Sequence, residues 1–464
     1  MIMEYHSGIE NAFKLFKEVY ATSKAYREFL HSKDINGESF NVVTDLSRVP
    51  LMDKKNFINK YPLSDRLFDG KQLSDFYMLC SSSGSTGEPT FWPRDIKTDN
   101  YLEKKKEQLY EEHFTISKKK TLCIVTLALG SWTGGMLTAK LSWAAGNNNK
   151  FTVITPGISK ETTYQLIDKL YHYYDQILIL GYPPFLTDLI QYSKKRIDDL
   201  KKYNIKLMCT GERFSEEWRS DMVALISRGE HRGDVVSFYA CSDTGIIGCE
   251  TKFSIDLVKN ALLNKNLALE LFGTTEIPSF VAYDSYAKYL ECLNGEIIIT
   301  ARQPAPLVRY NIHDRGGLLT KNQIIAACLK YNIKYSEDDL DETYVYIFGR
   351  SDSVQITANI YIEDIKYCLE HSKFSDRFLH YFRFGKEQLP RMRYRLKVIV
   401  YTKQDVKFTQ EEKRYFHKEF YNNLVRANDD FRAIQQGTKI EKFNIIFKGE
   451  SEVEFKDVKL KYFL

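Results

Sequence analysis

Between Ser81 and Pro89 the chain reads SSSGSTGEP, five hydroxyl residues and two glycines in nine positions. Glycines let a backbone approach an anion with its N–H groups turned inward, and hydroxyls add donors, so this composition suits a loop folded around phosphate. The run FYMLC (76–80) ahead of it reads as a strand. No G-x-x-x-x-G-K-[ST] occurs, which sets the loop apart from a Walker P-loop; a flexible Ser/Gly connector is the plainer alternative. In FYACSDTG (238–245), Tyr239 offers a face for a flat base, Ser242 a phosphate donor and Asp243 a hard oxygen ligand for Mg²⁺. An ordinary strand exit with an Asp-Thr-Gly turn would look the same. PLVRYNIHDRGG (306–317) places Asp314 in a Gly-flanked turn after a strand, where its carboxylate can accept both hydroxyls of a ribose or simply close the turn. FGRSDSVQITANIYIEDI (348–365) offers Arg350 to a sugar or phosphate and Asp352 as a hinge, against the alternative of a surface Arg-Asp pair.

The elements that must position these residues change character along the chain. Ile9 to Leu30 carries apolar residues at helical spacing, and Asp53 to Asn59 reads as a short capped helix. From about 121 to 248, apolar runs at 121–129, 151–155, 176–180, 205–209 and 234–240 alternate with helix-like segments at 160–174 and 185–203. This alternation predicts a parallel, doubly wound sheet, whose ligands bind at the carboxyl ends of the strands. Strands are expected at 295–301 and 343–349. Beyond them, helices near 362–369 and 410–424 with strands at 393–401 and 443–447 read as a smaller α+β region. The expected organisation is a large domain over 1–349 and a small one over 350–464, joined by a short hinge.

Composition narrows the classes. With 464 residues, 43% hydrophobic and 27% charged, the chain can bury large cores and is not a disordered type. Its 66 basic and 61 acidic residues nearly balance, and no concentrated basic face marks a nucleic-acid binder. Eight cysteines without a CxxC pair read as reduced, mostly buried thiols, which favours a cytoplasmic location. The spacing of Cys241, Cys249, Cys292 and His231 matches no compact zinc motif. The first residues do not read as a secretory signal, and no apolar stretch is long enough to span a membrane.

Taken in order, the four islands resemble the adenylate-forming superfamily of acyl-CoA synthetases and adenylation domains, nearest its phenylacetate–CoA ligase-like branch. SSGSTGEP (82–89) resembles the family's SSGTTGKP loop, YACSD (239–243) its YG-x-[ST]-[ED], RYNIHD (309–314) its RY-x-x-GD and GRSDS (349–353) its GR-x-DD. GYPPFL (181–186), GERFS (211–215) and GEIIIT (295–300) add agreement. The resemblance implies a large domain with doubly wound sheets, a small mobile C-terminal α+β domain, and adenylation of a carboxylic acid by ATP and Mg²⁺ with release of pyrophosphate. Ser82, Ser83, Gly84, Ser85, Thr86 and Gly87 would line the ATP phosphates, with Thr86 taking part in catalysis. Gly211, Glu212 and Tyr239 would frame adenine, and Ser242 would touch the α-phosphate. Asp243 would hold the metal, Asp314 and Arg350 the ribose, and Asp352 would be the hinge. The catalytic Lys falls best on Lys459, in a tail that also holds Lys456 and Lys461. Glu88 stands where the family more often has Lys, Ala240 replaces a Gly, and His313 replaces the Gly before the ribose Asp.

Trp132, Gly134, Tyr182 and Cys241 are candidate acyl-pocket residues, and their mix of aromatic and small groups suits an aromatic or small organic acid. The acyl acceptor is coenzyme A, the phosphopantetheine arm of a separate carrier protein, or an amine. Two other classes stand beside this reading: a degenerate, non-catalytic nucleotide-binding member of the fold, and a kinase, which the missing kinase signatures disfavour.

Overall fold

The computed structural model describes residues 8–82, 89–197, 199–211, 213–229, 231–285, 287–350, 353–356, 358–389, 393–403, 406–435, 442–449 and 452. Of the expected site residues, Ser83, Gly84, Ser85, Thr86, Gly87, Glu212, Asp352 and Lys459 lie outside them, as do Glu88, Lys456 and Lys461. The chain divides into two compact units, one holding most of residues 1–351 and the other built on residues 352–464.

The first unit opens with α1 (Gly8–Thr22) and α2 (Lys24–His31). The helical spacing read over Ile9–Leu30 is carried by two helices that meet at Ser23, whose hydroxyl accepts from the N–H of Tyr26 and caps the second. The short helix Lys54–Ile58 is capped by Asp53 as expected, although its turn is of the wider π type. After α3 (Leu63–Arg66) come the hairpin strands β1 (Met78–Ser81) and β2 (Phe91–Arg94), then α4 (Ile96–Phe114).

Next come β3 (Thr121–Val125), α5 (Thr133–Ala145), β4 (Phe151–Ile154), α6 (Lys160–Leu170), β5 (Gln176–Gly181), α7 (Pro183–Lys194), β6 (Ile205–Cys209), α8 (Glu216–Ile226) and β7 (Val235–Cys241). The five strands are all parallel and lie in the order β7-β6-β5-β3-β4. β3, β5 and β6 are buried along their whole length, as expected of strands covered on both faces. The run at 121–129 is strand only to Val125, where Thr126 turns its N–H to the carbonyl of Leu180.

The rest of the unit is antiparallel: β8 (Gly245–Cys249), α9 (Lys252–Leu263), α10 (Lys265–Phe272), β9 (Ser279–Tyr283), β10 (Lys288–Leu293), β11 (Glu296–Ala301), β12 (Leu307–Thr320), α11 (Lys321–Lys330) and β13 (Thr343–Arg350). These strands continue the sheet in the order β10-β11-β12-β13-β9-β8-β7, giving eleven strands in one sheet. Doubly wound topology therefore describes the parallel half alone. Period-two alternation separates the faces here. Val281, Val345 and Ile347 pack with Leu15, Phe16, Phe29 and Leu30 of α1 and α2. Their neighbours Phe280, Tyr344 and Tyr346 pack with residues of α9, α10 and α11.

The second unit contains β14 (Ser353–Gln355), β15 (Asn359–Tyr361), α12 (Ile362–Glu370), β16 (Phe378–Leu389), β17 (Arg393–Thr402), α13 (Gln410–Ala427), α14 (Asp429–Ile434) and β18 (Asn444–Gly449). β17 pairs antiparallel with β16 and parallel with β18. Phe384, Val398, Val400, Phe416, Phe420 and Phe431 form its core. Asn428 ties the unit together by donating to the carbonyl of Asn359 at 2.8 Å and to Asp364 at 2.6 Å.

Candidate active site

Parallel strands in register bring their carboxyl ends to one edge, and the described site residues of the parallel half fall there. Trp132 caps α5 beyond β3, Tyr182 follows β5, Gly211 lies two residues past β6, and Tyr239, Cys241, Ser242 and Asp243 end β7 and turn into β8. The helices that leave these strands begin at the same edge, so their N-terminal N–H groups and positive dipole ends favour an anion there. Gly211 adopts φ +83°, in the left-handed region where a side chain is strained. At Gly135, beside the exposed Gly134, an added Cβ would sit 1.9 Å from the carbonyl oxygen of Ala128. Only glycine lets α5 start this close to the chain leaving β3.

Both stems of the Ser/Gly loop are fixed. Cys80 pairs with Trp92 and Ser81 with Phe91 across the β1–β2 hairpin, and Ser82 donates its N–H to Thr90 at 2.9 Å. Ser81 is also clasped to the segment before α5. Its N–H reaches Ser131 at 2.7 Å, and its carbonyl accepts from the Thr133 hydroxyl at 3.0 Å. The Ser82 hydroxyl is buried and has no hydrogen-bond partner among the described residues.

Asp314 does not stand in a turn. It lies inside β12, paired with Arg350 at the end of β13. The turn expectation fails because Arg309 (φ +49°) and His313 (φ +58°) take left-handed backbone within the strand, and the register against β11 shifts nearby. These two kinks interrupt the apolar alternation without ending the strand. The φ of His313 also accounts for the glycine that the RY-x-x-GD pattern has at this position. Here the strain is offset locally: the His313 N–H donates to Asn311 Oδ1 at 2.8 Å, and its ring lies 3.6 Å from Glu296 and 4.0 Å from Asp53.

Two hydrogen bonds define the centre of the site. Tyr239 of β7 donates to Asp314 of β12 at 2.5 Å, and Tyr310 of β12 donates to Asp243 after β7 at 2.7 Å. Each segment carries a Tyr four residues before an Asp, and each Tyr serves the other segment's Asp. Three strands separate β7 from β12 in the sheet order. Flat, they would lie about 19 Å apart at about 4.8 Å per strand. The antiparallel half must therefore curl over on itself. Lys288 on the far strand β10 tells the same story, donating to the carbonyls of Thr244 (2.7 Å) and Ile246.

Burial and then the facing carboxylate push both phenols well above their usual range, Asp314 acting on Tyr239 and Asp243 on Tyr310. Both stay neutral donors at physiological pH. A carboxylate has about four acceptor positions, of which a phenol takes one. Gln303 donates to the Asp243 carbonyl at 2.7 Å and fixes the turn that carries it. Burial raises the Cys241 thiol to about 11, with Asp243 adding to the shift, so it remains a thiol, 3.2 Å from the Thr244 hydroxyl. Arg213 ties the end of β13 to its surroundings through the carbonyls of Phe348 and, at 2.8 Å, Ile277.

Sequence patterning did not single out Tyr310, Gln303, Lys288 or Arg66. Tyr310 sits inside the RYNIHD island, where only its four-residue spacing to Asp314 marked it. Arg66 ends α3 with its guanidinium buried, within electrostatic reach of Tyr310 and Asp243. Among the described residues no group of three or more His, Cys, Asp and Glu side chains is gathered as a metal site. Cys249 and Cys292 instead face the separate carbonyls of Ser237 and Gly316. No helix among the described residues is long and apolar enough to cross a membrane.

No known family's sequence profile matches the chain, and no curated protein matches it by sequence. Its three-dimensional structure does have counterparts. 2-Hydroxyisobutyryl-CoA ligase (HCL) in complex with 2-HIB-AMP and CoA superposes with a TM-score of 0.67 at 12% identity, over 98% of this chain and 88% of the ligase. The same ligase in the postadenylation state with 2-HIB-AMP gives 0.55 at 12% identity, over 98% and 88%. A double mutant of o-succinylbenzoate CoA synthetase (MenE) from Bacillus subtilis, bound with its product analogue OSB-NCoA, gives 0.50 at 11% identity, over 95% and 80%. The chain has the adenylate-forming enzyme fold. Within the adenylate-forming fold of this chain, Tyr239, Asp243, Tyr310, Asp314 and Arg350 come together around the curl of the sheet, while Trp132, Tyr182 and Gly211 follow the neighbouring parallel strands.

Proposed function

We propose that this protein is an adenylate-forming ligase of the phenylacetate–CoA ligase-like branch. It activates an aromatic or small organic carboxylic acid as its acyl-AMP and transfers the acyl group to a thiol, that of coenzyme A or of a carrier protein, in the cytoplasm. The observation that carries this reading is the reciprocal Tyr239–Asp314 and Tyr310–Asp243 pairing at the carboxyl edge of the sheet, in a fold that the compared CoA ligases share.

In this reading Asp314 accepts the ribose hydroxyls and Arg350, its cross-strand neighbour, holds the sugar or phosphate. Tyr239 keeps Asp314 oriented and offers its ring to the adenine, which Gly211 and Glu212 flank. Asp243 suits Mg²⁺, which is held by one or two carboxylates together with phosphate oxygens and water. When bound, the ion would offset charge on the phosphate oxygens as pyrophosphate leaves. Tyr310 and Gln303 keep Asp243 aimed, Ser242 contacts the α-phosphate, and Ser82 to Gly87 close over the β- and γ-phosphates, Thr86 among them. The acid lies among Trp132, Gly134, Tyr182 and Cys241. Its carboxylate oxygen attacks the α-phosphorus, while Lys459, carried by a lid over 350–464 that turns at Asp352, offsets the developing charge.

Carboxylate-dependent ATP–pyrophosphate exchange across aryl, aliphatic and amino acids tests the reading. Exchange with one acid class supports it and names the substrate. Silence across the panel, with ATP still bound, overturns it in favour of a non-catalytic nucleotide-binding protein.

A further inference from the structure

Arg66 and Trp92 are buried, and each carries an N–H for which the described residues offer no acceptor. Arg66 is 6% exposed and Trp92 3%. The guanidinium carbon lies 5.9 Å from the centre of the Trp92 ring, and Arg66 Nε donates to the Tyr61 carbonyl at 3.2 Å. Among the described residues neither Arg66 Nη1 nor Trp92 Nε1, both enclosed, has a hydrogen-bond partner. Guanidinium and indole N–H groups can only donate, so neither can satisfy the other. A buried donor without an acceptor is destabilising, more so when charged, and two on neighbouring side chains ask for an acceptor that arrives from elsewhere.

The surroundings say which kind. Arg66 faces Asp243 and Tyr310 electrostatically, and burial lowers its pKa to about 10 while those two groups oppose the shift. Tyr61, Trp92 and Tyr310 belong to one apolar cluster, so water competes weakly for the guanidinium. Trp92 lies on the strand that follows the Ser/Gly loop, opposite Cys80. A cation on Asp243 would leave two positive centres beside one carboxylate, and a bound anion restores the balance. Glu88 in the same loop supplies no positive charge.

We propose that Arg66 and Trp92 form a buried oxyanion-binding position, which takes a carboxylate or phosphate oxygen of the reactants. The inference deepens the adenylation reading and rests on it for the source of that oxygen: pyrophosphate or the acid. Arg66 is thereby a binding residue, and Trp92 orders it while adding a second donor.

The test measures binding of inorganic pyrophosphate, and separately of benzoate, to the full-length protein by calorimetry, in the wild type, Arg66→Met and Trp92→Phe. Wild-type binding of one probe, weakened at least 10-fold in Arg66→Met and about 3-fold in Trp92→Phe, is the expected result. Loss confined to pyrophosphate assigns the oxygen to the nucleotide, and loss confined to benzoate assigns it to the acid. If Arg66→Met does not fold by circular dichroism, Trp92→Phe, which removes the indole N–H but keeps a buried aromatic ring, decides the matter. Wild-type binding of neither probe overturns the proposal. So does unchanged affinity in the folded variants, the behaviour of donors that serve only an internal water. Probe binding lost in the variants alongside silent ATP–pyrophosphate exchange keeps this position and removes adenylation.

Discussion

A neutral phenol held against an ionised carboxylate donates in one direction only, and the site uses this twice. Tyr310 keeps one oxygen of Asp243 occupied at 2.7 Å, so a cation of the proposed mechanism would meet the carboxylate in a fixed orientation. Tyr310→Phe should raise the Mg²⁺ concentration for half-maximal exchange about 10-fold, in line with a hydrogen bond to a charged group worth about 1.5–3 kcal/mol. An unchanged Mg²⁺ titration would detach Tyr310 from the metal position. Asp314→Ala should weaken ATP binding about 10-fold or more, and unchanged ATP affinity by calorimetry would remove its ribose role. Lys459→Ala should depress adenylation while sparing ATP binding; full activity would place the catalytic Lys elsewhere. Tyr239, Asp243, Asp314 and Arg350 were legible as residues because their types and neighbours narrow the chemistry. Their cross-bonding was not, since it depends on the curl of the sheet. Arg66 was illegible altogether: in SDRLFDG nothing distinguishes it from a surface arginine, and only its burial reveals it.

At the scale of elements, the parallel half was readable because β3, β5 and β6 are continuous apolar runs separated by helical patterns. β12 was not. Its left-handed residues Arg309 and His313 break the alternation, and the glycines at 316 and 317 look like the end of a strand. β16 was missed as well, its FLHYFRFGKEQL mixing aromatic and charged residues so that neither period stands out. Helix α4 carries a different burden. Its Lys106 is 1% exposed, with Nζ lacking a hydrogen-bond partner among the described residues and 4.8 Å from the Phe238 ring. Burial lowers its pKa from 10.5 to about 8. Between these values the unfolded chain binds more protons than the folded one, so stability rises with pH across this window. Below about 8 the full penalty applies, about 3 kcal/mol at 1.36 kcal/mol per unit. Lys106→Met should therefore be more stable than wild type near pH 7 in urea denaturation, with an advantage that shrinks toward pH 10.5. A constant difference across that range would mean that Lys106 does not titrate there.

For the whole molecule, the second unit owns an apolar core whose members among the described residues run from Val354 to Phe447. A fragment of residues 352–464 should unfold cooperatively in circular dichroism, and a non-cooperative melt would show that it depends on the rest of the chain. The first unit has no comparable dividing line, because its site is shared between distant stretches. The phenol of residue 239 serves residue 314, and that of residue 310 serves residue 243. Neither stretch can therefore be inherited, shuffled or grafted alone without putting a phenol–carboxylate pair at risk in each direction. Over evolutionary time, a loss at one tyrosine should leave its trace at an aspartate some seventy positions away rather than beside it. A chimera that exchanges only one of the two segments between divergent relatives should fail unless the other travels with it.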